Sequence, residues 1–458
     1  AEVDITKSQP LATHKINVDF HPNKSVLTPD GKSLYVANGD ADTISVVDVT
    51  SHRQTATIPV NRNGSKLVGA NPTGLALSQD GKRLYVTNSG HNEVAVINVA
   101  TRKVIGDIPT GWYPTQVLAH GRKLSITSAK GLGAGPNNGP NHPNPTDPHD
   151  TAENQYSGSL IKGLLSTVSE PDAATLAKLT ATVEKNNTAN DPARSSAVPN
   201  QIGTTSSKIK HVIYIVRENR TFDQELGSNG RGNADPSLNL FGDESAPNTR
   251  ALARQFTTFD NFYADAEVSA NGWNWVSQAN SNPWSEEMWP SNYSGRGAPY
   301  PAENNDPESR AKEHDSYFWE HLSKNNISFR NYGFYTTLDK KGKAHGVDKK
   351  ILDPNTDHDF IGWTLDCPDS ARSFAPMAKN CGPKSRVDEW KSDFNKQLAK
   401  GSVPTVQLVR FGNDHTQATK VGVPTPQAYV ADNDQAIGQL VETVSHSPIW
   451  KDTAIFLT

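Results

Sequence analysis

The segment Asp30-Gly31-Lys32, followed by Leu34-Tyr35-Val36-Ala37-Asn38, returns 50 residues later as Asp80-Gly81-Lys82 followed by Leu84-Tyr85-Val86-Thr87-Asn88. Each copy runs on into an alternating apolar stretch, residues 44–49 and 94–99, and closes on a second short strand ending near Pro59 or Pro109. A turn, a strand, a turn and a strand at a fixed period are the signature of propeller blades, which cannot bury their apolar faces singly. A degenerate third copy passes through Pro114, Gly121 and Lys123 to Ile126, and Val3-Asp4-Ile5-Thr6 matches Val47-Asp48-Val49-Thr50, so residues 1–19 read as the back half of another blade. Propellers close with about 4 to 8 blades, whereas residues 1–130 supply about three plus fragments. We therefore expect a β-propeller that is incomplete in this chain.

At 458 residues the chain is long enough for two or three compact units. Lys and Arg total 45 against 49 Asp and Glu, with no long run of one sign, so the basic footprint that nucleic acid requires is missing and no nucleic-acid partner is expected. Mean hydropathy is −0.63, and no stretch approaches the roughly 20 apolar residues of a membrane span. The two cysteines, Cys367 and Cys381, lie 14 positions apart without the CxxC form of a zinc site. In an exported protein they would close a loop disulfide; in cytoplasm they would be two free thiols. No signal peptide is visible at Ala1, which fits either cytoplasmic residence or a processed chain.

Residues 131–207 read as a connecting region. The run from Gly131 to Asp150 holds too much Gly, Pro and Asn for a strand or helix, and its His142 and His149 suit a surface loop better than a metal site. Pro171-Asp172 starts a helical pattern with Leu176, Leu179 and Val183 on one face, and residues 186–207 form a polar linker. From Lys208 the pattern changes: buried strands are predicted over 211–216, 328–332, 404–410 and 453–457, and helices over 308–324, 387–400 and 426–445. This alternation predicts an α/β unit over residues 208–458 with helices on both faces of a parallel sheet, and a site at the carboxyl ends of its strands.

The first of those ends carries Arg217-Glu218-Asn219-Arg220-Thr221-Phe222-Asp223. Adjacent carboxylate and amide oxygens there can offer hard ligands to a divalent cation, with a hydroxyl from Thr221; the alternative is a turn in which Glu and Arg side chains pair. Residues 208–224 resemble the opening strand and Glu-Asn-Arg-[Ser/Thr]-Phe-Asp motif of the phosphoesterase family that includes bacterial phospholipases C and acid phosphatases, within the alkaline phosphatase superfamily. With the Tyr-Val-[Ala/Thr]-Asn repeats ahead of it, the chain resembles exported bacterial proteins that fuse a YVTN-type β-propeller to such a domain, which implies an α/β/α sandwich and a secreted or periplasmic location.

The resemblance implies Glu218 and Asn219 as metal ligands and makes Thr221 structural. Ala266-Glu267-Val268-Ser269-Ala270-Asn271-Gly272 matches the family's nucleophile segment and nominates Ser269, both as the attacking hydroxyl and as a further metal ligand. A plain helix N-cap is the alternative reading of Ser269. Many relatives carry His after this glycine, where this chain has Trp273. Asn413-Asp414-His415-Thr416 resembles the family's Asn-Asp-His-Thr signature, which implies that His415 lies near the phosphate and stabilises charge or donates a proton. The family's Asp-Asp pair that completes the metal site follows a strand like 453–457, and the sequence stops at Thr458. A fragment of a longer protein is the expectation.

The implied activity is metal-dependent hydrolysis of phosphate esters through a covalent phosphoenzyme, with a divalent cation of unspecified identity as cofactor. A phosphodiesterase or phospholipase C is a variant of it, for which Trp273, Trp275, Trp284 and Trp289 offer an apolar lining or mere packing. The alternative from another class is a binding or scaffold protein whose propeller holds a protein or polymer partner beside a degenerate phosphoesterase domain.

Overall fold

In the computed structural model, which describes residues 2–6, 9, 11–60, 69–133, 161–188, 208–279, 281, 283–293, 317–370 and 381–458, the first strands are an antiparallel pair, β1 (Glu2–Asp4) and β2 (Leu11–His14). A four-stranded antiparallel sheet follows: β3 (Pro22–Leu27), β4 (Ser33–Asn38), β5 (Thr43–Asp48) and β6 (Arg53–Pro59). Each of its strands recurs at the repeat spacing in a second such sheet of β7 (Pro72–Leu77), β8 (Arg83–Asn88), β9 (Glu93–Asn98) and β10 (Lys103–Pro109). The Asp-Gly-Lys turns explain the repeat locally. Asp30 Oδ1 accepts the Lys32 N–H at 3.1 Å and the Thr28 hydroxyl at 2.6 Å, and Asp80 does the same with Lys82 at 3.1 Å and Ser78 at 2.7 Å. Gly31 (φ 71°) and Gly81 (φ 68°) supply the left-handed backbone that such a turn needs.

Alternation along β8 and β9 buries both faces of the second sheet. Leu84, Val86, Ala95 and Ile97 pack with Tyr35, Val46 and Ile58 of the first sheet. Tyr85, Val94 and Val96 pack the other way, against Val117, Leu124 and Ile126. The last three belong to a third sheet of β11 (Pro114–His120), β12 (Lys123–Ser128) and β13 (Leu164–Ser169). This stack of small antiparallel sheets is what propeller blades look like. Strand β13 comes from the stretch read as loop and linker, because no Asp-Gly turn precedes it to mark a blade. Helix α1 (Ala173–Thr188) buries Leu176 and Val183 and lies on β10, where a Cβ at Gly106 would stand 2.6 Å from Leu176 Cγ. Residues 134–160, with His142 and His149, and most of the polar linker lie outside the described residues.

The chain divides into two units, one of Ala1–Arg194 with Asn280–Tyr300 and one of Ser195–Ala279 with Pro301–Thr458. The first therefore also takes the helix Pro283–Asn292, whose Trp289 is buried.

The second unit is built on a four-stranded, wholly parallel sheet. Its chain order is β14 (His211–Ile215), α2 (Ser269–Gln278), α3 (Phe318–Lys324), β15 (Phe329–Tyr332), the hairpin β16 (Thr336–Leu338) and β17 (Ala344–Gly346), α4 (Arg386–Ala399), β18 (Val406–Val409), α5 (Pro426–Ser445) and β19 (Thr453–Leu457). The sheet order is β15-β18-β14-β19. Ile213, Ile215 and Val409 pack with Val387, Trp390 and Phe394 of α4 and with Ala436, Ile437 and Leu440 of α5. On the opposite face Val406 and Leu408 pack with Trp273 of α2 and with Trp319 and Leu322 of α3. Helices thus cover both faces, and the β-branched strand runs of the sequence are explained by burial on both sides. The predicted helix over 308–324 is observed from Phe318; residues 301–316 lie outside the described part. Cys367 and Cys381 form a disulfide, with Cα atoms 5.3 Å apart.

Candidate active site

Strands β14 and β18 are hydrogen-bonded neighbours running in parallel, so the residues just past their carboxyl ends emerge side by side. Glu218 follows β14, and Arg410 and His415 follow β18. Glu218 Oε2 accepts the indole N–H of Trp273 at 2.5 Å and lies 3.5 Å from Arg410 Nη2. Its other oxygen, Oε1, lies 3.9 Å from His415 Nε2. The structure therefore brings Glu218 and His415 together, and Trp273 connects Glu218 to the helix that Ser269 begins.

Ser269 is the first residue of α2, with Val268 as the N-cap, so the N-cap reading of Ser269 does not hold. Ser269 stands four positions before Trp273, about one helical turn, so the two residues share a face of α2, and Trp273 meets Glu218. Asn219 is exposed. Thr221 caps the helix Phe222–Leu226 in a reciprocal capping box with Gln224, which accounts for it structurally.

The arginines of the motif do not pair with Glu218. Arg217 makes a two-pronged contact with Glu225, at 2.8 and 3.0 Å, and donates to Asn433 Oδ1. Arg220 donates to the carbonyls of Asp414 and His415 at 3.1 and 2.9 Å and to the Thr416 hydroxyl at 3.2 Å, fastening the loop that carries the histidine. Asp369, fully buried, holds that loop from the other side by accepting the N–H groups of Gly412 (3.2 Å) and Asn413 (2.9 Å). Arg386 anchors Asp369 at 2.9 Å and donates to the carbonyls of Ile361, Gly362, Thr364 and Cys367, which sets the segment carrying Trp363. Within the loop Thr416 has φ 61° and ψ 177°, a region that β-branched residues avoid. These contacts hold that strained backbone in place.

Burial pushes the carboxyl of Asp414 well above the usual carboxylate range, an effect that Arg217 at 3.7 Å offsets only in part. His415 has Nδ1 2.8 Å from the Thr416 carbonyl, which holds the proton there and leaves Nε2 as the basic nitrogen of the neutral ring. Trp363 meets the His415 ring edge to face at 5.1 Å. The Arg410 guanidinium is buried between two indoles, 4.0 Å from the Trp273 ring and 3.8 Å from that of Trp363.

Arg410 and Trp363 escaped the sequence reading. An arginine ending a predicted buried strand was the available signal for the first, and Trp363 lies in an irregular loop that offers none. Trp273 and Trp289 are both buried, and they fall in different units. The side chain of Trp284 lies outside the described part.

A divalent cation is compatible with the donor set. Glu218 Oε1, the Asn219 amide and the Ser269 hydroxyl are hard oxygens that make no hydrogen bond to another described residue. Glu218 supplies the one anionic ligand, and its second oxygen faces Arg410 and Trp273.

Comparison with known proteins bears on both units. No curated protein matches the chain. Three solved structures share short regions with it: Kuenenia stuttgartiensis hydrazine synthase at 23% identity and TM-score 0.22, U3-55K at 20% and 0.22, and the Myceliophteria thermophila Cps50 (Swd1) beta-propeller domain at 17% and 0.21. The regions cover 26%, 25% and 25% of this chain and 32%, 35% and 35% of those chains, overlaps too small to carry an argument. The model of the Phosphoesterase family matches residues 230–458, half of the chain, and takes in Ser269, Arg410 and His415. The chain belongs to the Phosphoesterase family.

Proposed function

We propose that this protein is a metal-dependent hydrolase of phosphate esters in which Ser269 is the nucleophile. Family membership supports phosphoester hydrolysis in general. The observation that carries the finer reading is the meeting of Glu218, His415 and the Ser269 helix at the carboxyl ends of β14 and β18. Ser269 attacks phosphorus in line, the P–O bond to the leaving group breaks, and a phosphoserine forms; water then cleaves that ester and restores the hydroxyl. The first-turn amides of α2 orient the phosphate oxygens. His415 Nε2 takes the hydroxyl proton of Ser269 as it attacks and delivers it to the leaving oxygen; in the second step it takes a proton from the attacking water and returns it to the serine oxygen. Glu218, Asn219 and Ser269 would hold a divalent cation, which when bound neutralises phosphate charge and favours the alkoxide. An α/β/α sandwich of alkaline phosphatase type, a YVTN-type propeller able to hold a protein or polymer partner, and export to an oxidising compartment, supported by the disulfide, complete the proposal.

One observation favours the scaffold reading instead: the Arg410 guanidinium stands 3.5 Å from Glu218, where it can replace a cation as charge partner. Turnover of a monoester and a diester of p-nitrophenol by the full chain, with and without chelator, separates the two. Loss of hydrolysis on chelation and its return with added metal support the enzyme. Absence of hydrolysis by chain supplemented with Mg²⁺, Mn²⁺, Ca²⁺ or Zn²⁺ overturns it.

A further inference from the structure

In the second unit, apart from Glu218, three side chains of mixed metal-binding chemistry face one another: His345 on β17, and Asp353 and His358 in the segment that follows. We infer that His345, Asp353 and His358 form a zinc site that clamps the β16–β17 hairpin to residues 353–358. His345 Nδ1 lies 3.3 Å from Asp353 Oδ1, and His358 Nε2 lies 3.4 Å from the same oxygen. Tetrahedral zinc with bonds of about 2.0–2.1 Å requires ligand-to-ligand edges of about 3.3–3.4 Å. The three ligand atoms all lie within 4.8 Å of one another, so closing the remaining edge needs only a small ring movement.

The backbone sets these groups in place. Ala344 N–H donates to the His358 carbonyl at 3.0 Å, and Gly346 N–H donates to Asp353 Oδ1 at 2.8 Å, so the residues on either side of His345 are bonded to the other two ligands. Glycine is required at 346 for this approach, because a Cβ there would stand 2.8 Å from the Asp353 nitrogen. The far nitrogen of His345, Nε2, lies 3.5 Å from Asp339 Oδ2, the carboxylate-histidine arrangement that orients metal-bound imidazoles. Asp339 is itself held by the Lys341 and Lys343 amides at 2.8 and 2.9 Å. Lys349 Nζ, 3.8 Å from Asp353 Oδ2, is the local competing cation, and His358 Nε2 also lies 3.2 Å from the Asp353 carbonyl, a contact that zinc would replace. Three ligands leave a fourth position to water, and borderline-soft imidazoles favour zinc over magnesium or calcium.

A second histidine pair, His14 and His52, also meets a carboxylate, Glu2, but there both Nδ1 atoms crowd one oxygen at 3.0 and 2.8 Å while the rings stack at 3.9 Å. That geometry suits a hydrogen-bonded stack better than a coordination shell.

The test uses the full chain carrying E218Q and H14Q, so that zinc at neither Glu218 nor the Glu2 cluster contributes; a third cluster, Asp357, Asp359 and Glu389, holds no imidazole and is told apart by the spectrum. Titration with Zn²⁺ is expected to show one site, with two imidazoles in the zinc X-ray absorption spectrum. H358Q, at a side chain 45% exposed, should weaken binding at least tenfold without shifting the melting temperature of the metal-free chain, and H345Q should do the same to affinity. A spectrum without imidazole scattering, or unchanged affinity in the H345Q/H358Q double variant, would overturn the assignment.

Discussion

The indole of Trp273 donates its N–H to Glu218 Oε2 at 2.5 Å, linking the helix that begins at Ser269 to the end of β14. A carboxylate accepting a neutral N–H in a half-buried setting gains roughly 1.5–3 kcal/mol from the bond. Trp273→Phe removes the donor and, with it, part of a buried indole on which Arg410 stacks at 4.0 Å. We expect kcat/KM to fall between about tenfold and a hundredfold, and the melting temperature to fall by roughly 3 to 12 °C as the hydrogen bond is lost. An unchanged kcat/KM would detach Glu218 from the chemistry.

Ser269→Ala is expected to lower kcat by at least about a thousandfold. Stability should not change, because the hydroxyl makes no hydrogen bond to another described residue. Rapid-quench trapping of a phosphorylated serine in the wild type and its loss in the variant are the direct readout. Retained turnover in the variant moves the nucleophile elsewhere.

Burial raises the folded-state pKa of Asp414 above its unfolded value near 3.8. The stability this group contributes is therefore complete below that unfolded value and is lost as pH rises through the folded pKa. Asp414→Asn cannot ionise, and Arg217 keeps Glu225 as a partner at 2.8 Å. In urea melts the variant should gain on the wild type as pH rises from about 4 to 7, with the difference closing at the acid end. A difference independent of pH would show that Asp414 does not titrate anomalously.

The disulfide Cys367–Cys381 closes a loop whose ends are 14 residues apart, for which chain entropy gives about 3 kcal/mol of stabilisation. Replacing both cysteines by serine should lower the urea midpoint of the second unit by a corresponding amount, as should dithiothreitol on the wild type. The Cys367 carbonyl also receives Arg386, so the loop bearing Trp363 should loosen and His415 with it. Equal midpoints with and without reductant would mean that the bridge contributes nothing.

Local chemistry alone determined much of this protein. Asp-Gly-Lys turns and period-two runs specified β4, β5, β8 and β9, and β-branched stretches specified the parallel strands, because turn geometry and two-sided burial depend on near neighbours in the chain. Family resemblance in short motifs drew attention to Glu218, Ser269 and His415. What only the tertiary structure decided is who meets whom. Arg410 lies 192 positions from Glu218 in sequence numbering, yet the parallel pairing of β14 with β18 sets the two side chains 3.5 Å apart. Trp363 reaches Arg410 through a loop ordered by the buried Arg386, and His345 meets Asp353 and His358 only because a hairpin folds back over a turn. Contacts of this kind depend on strand register and on how loops cross strand ends, and neither is encoded in any short window of residues.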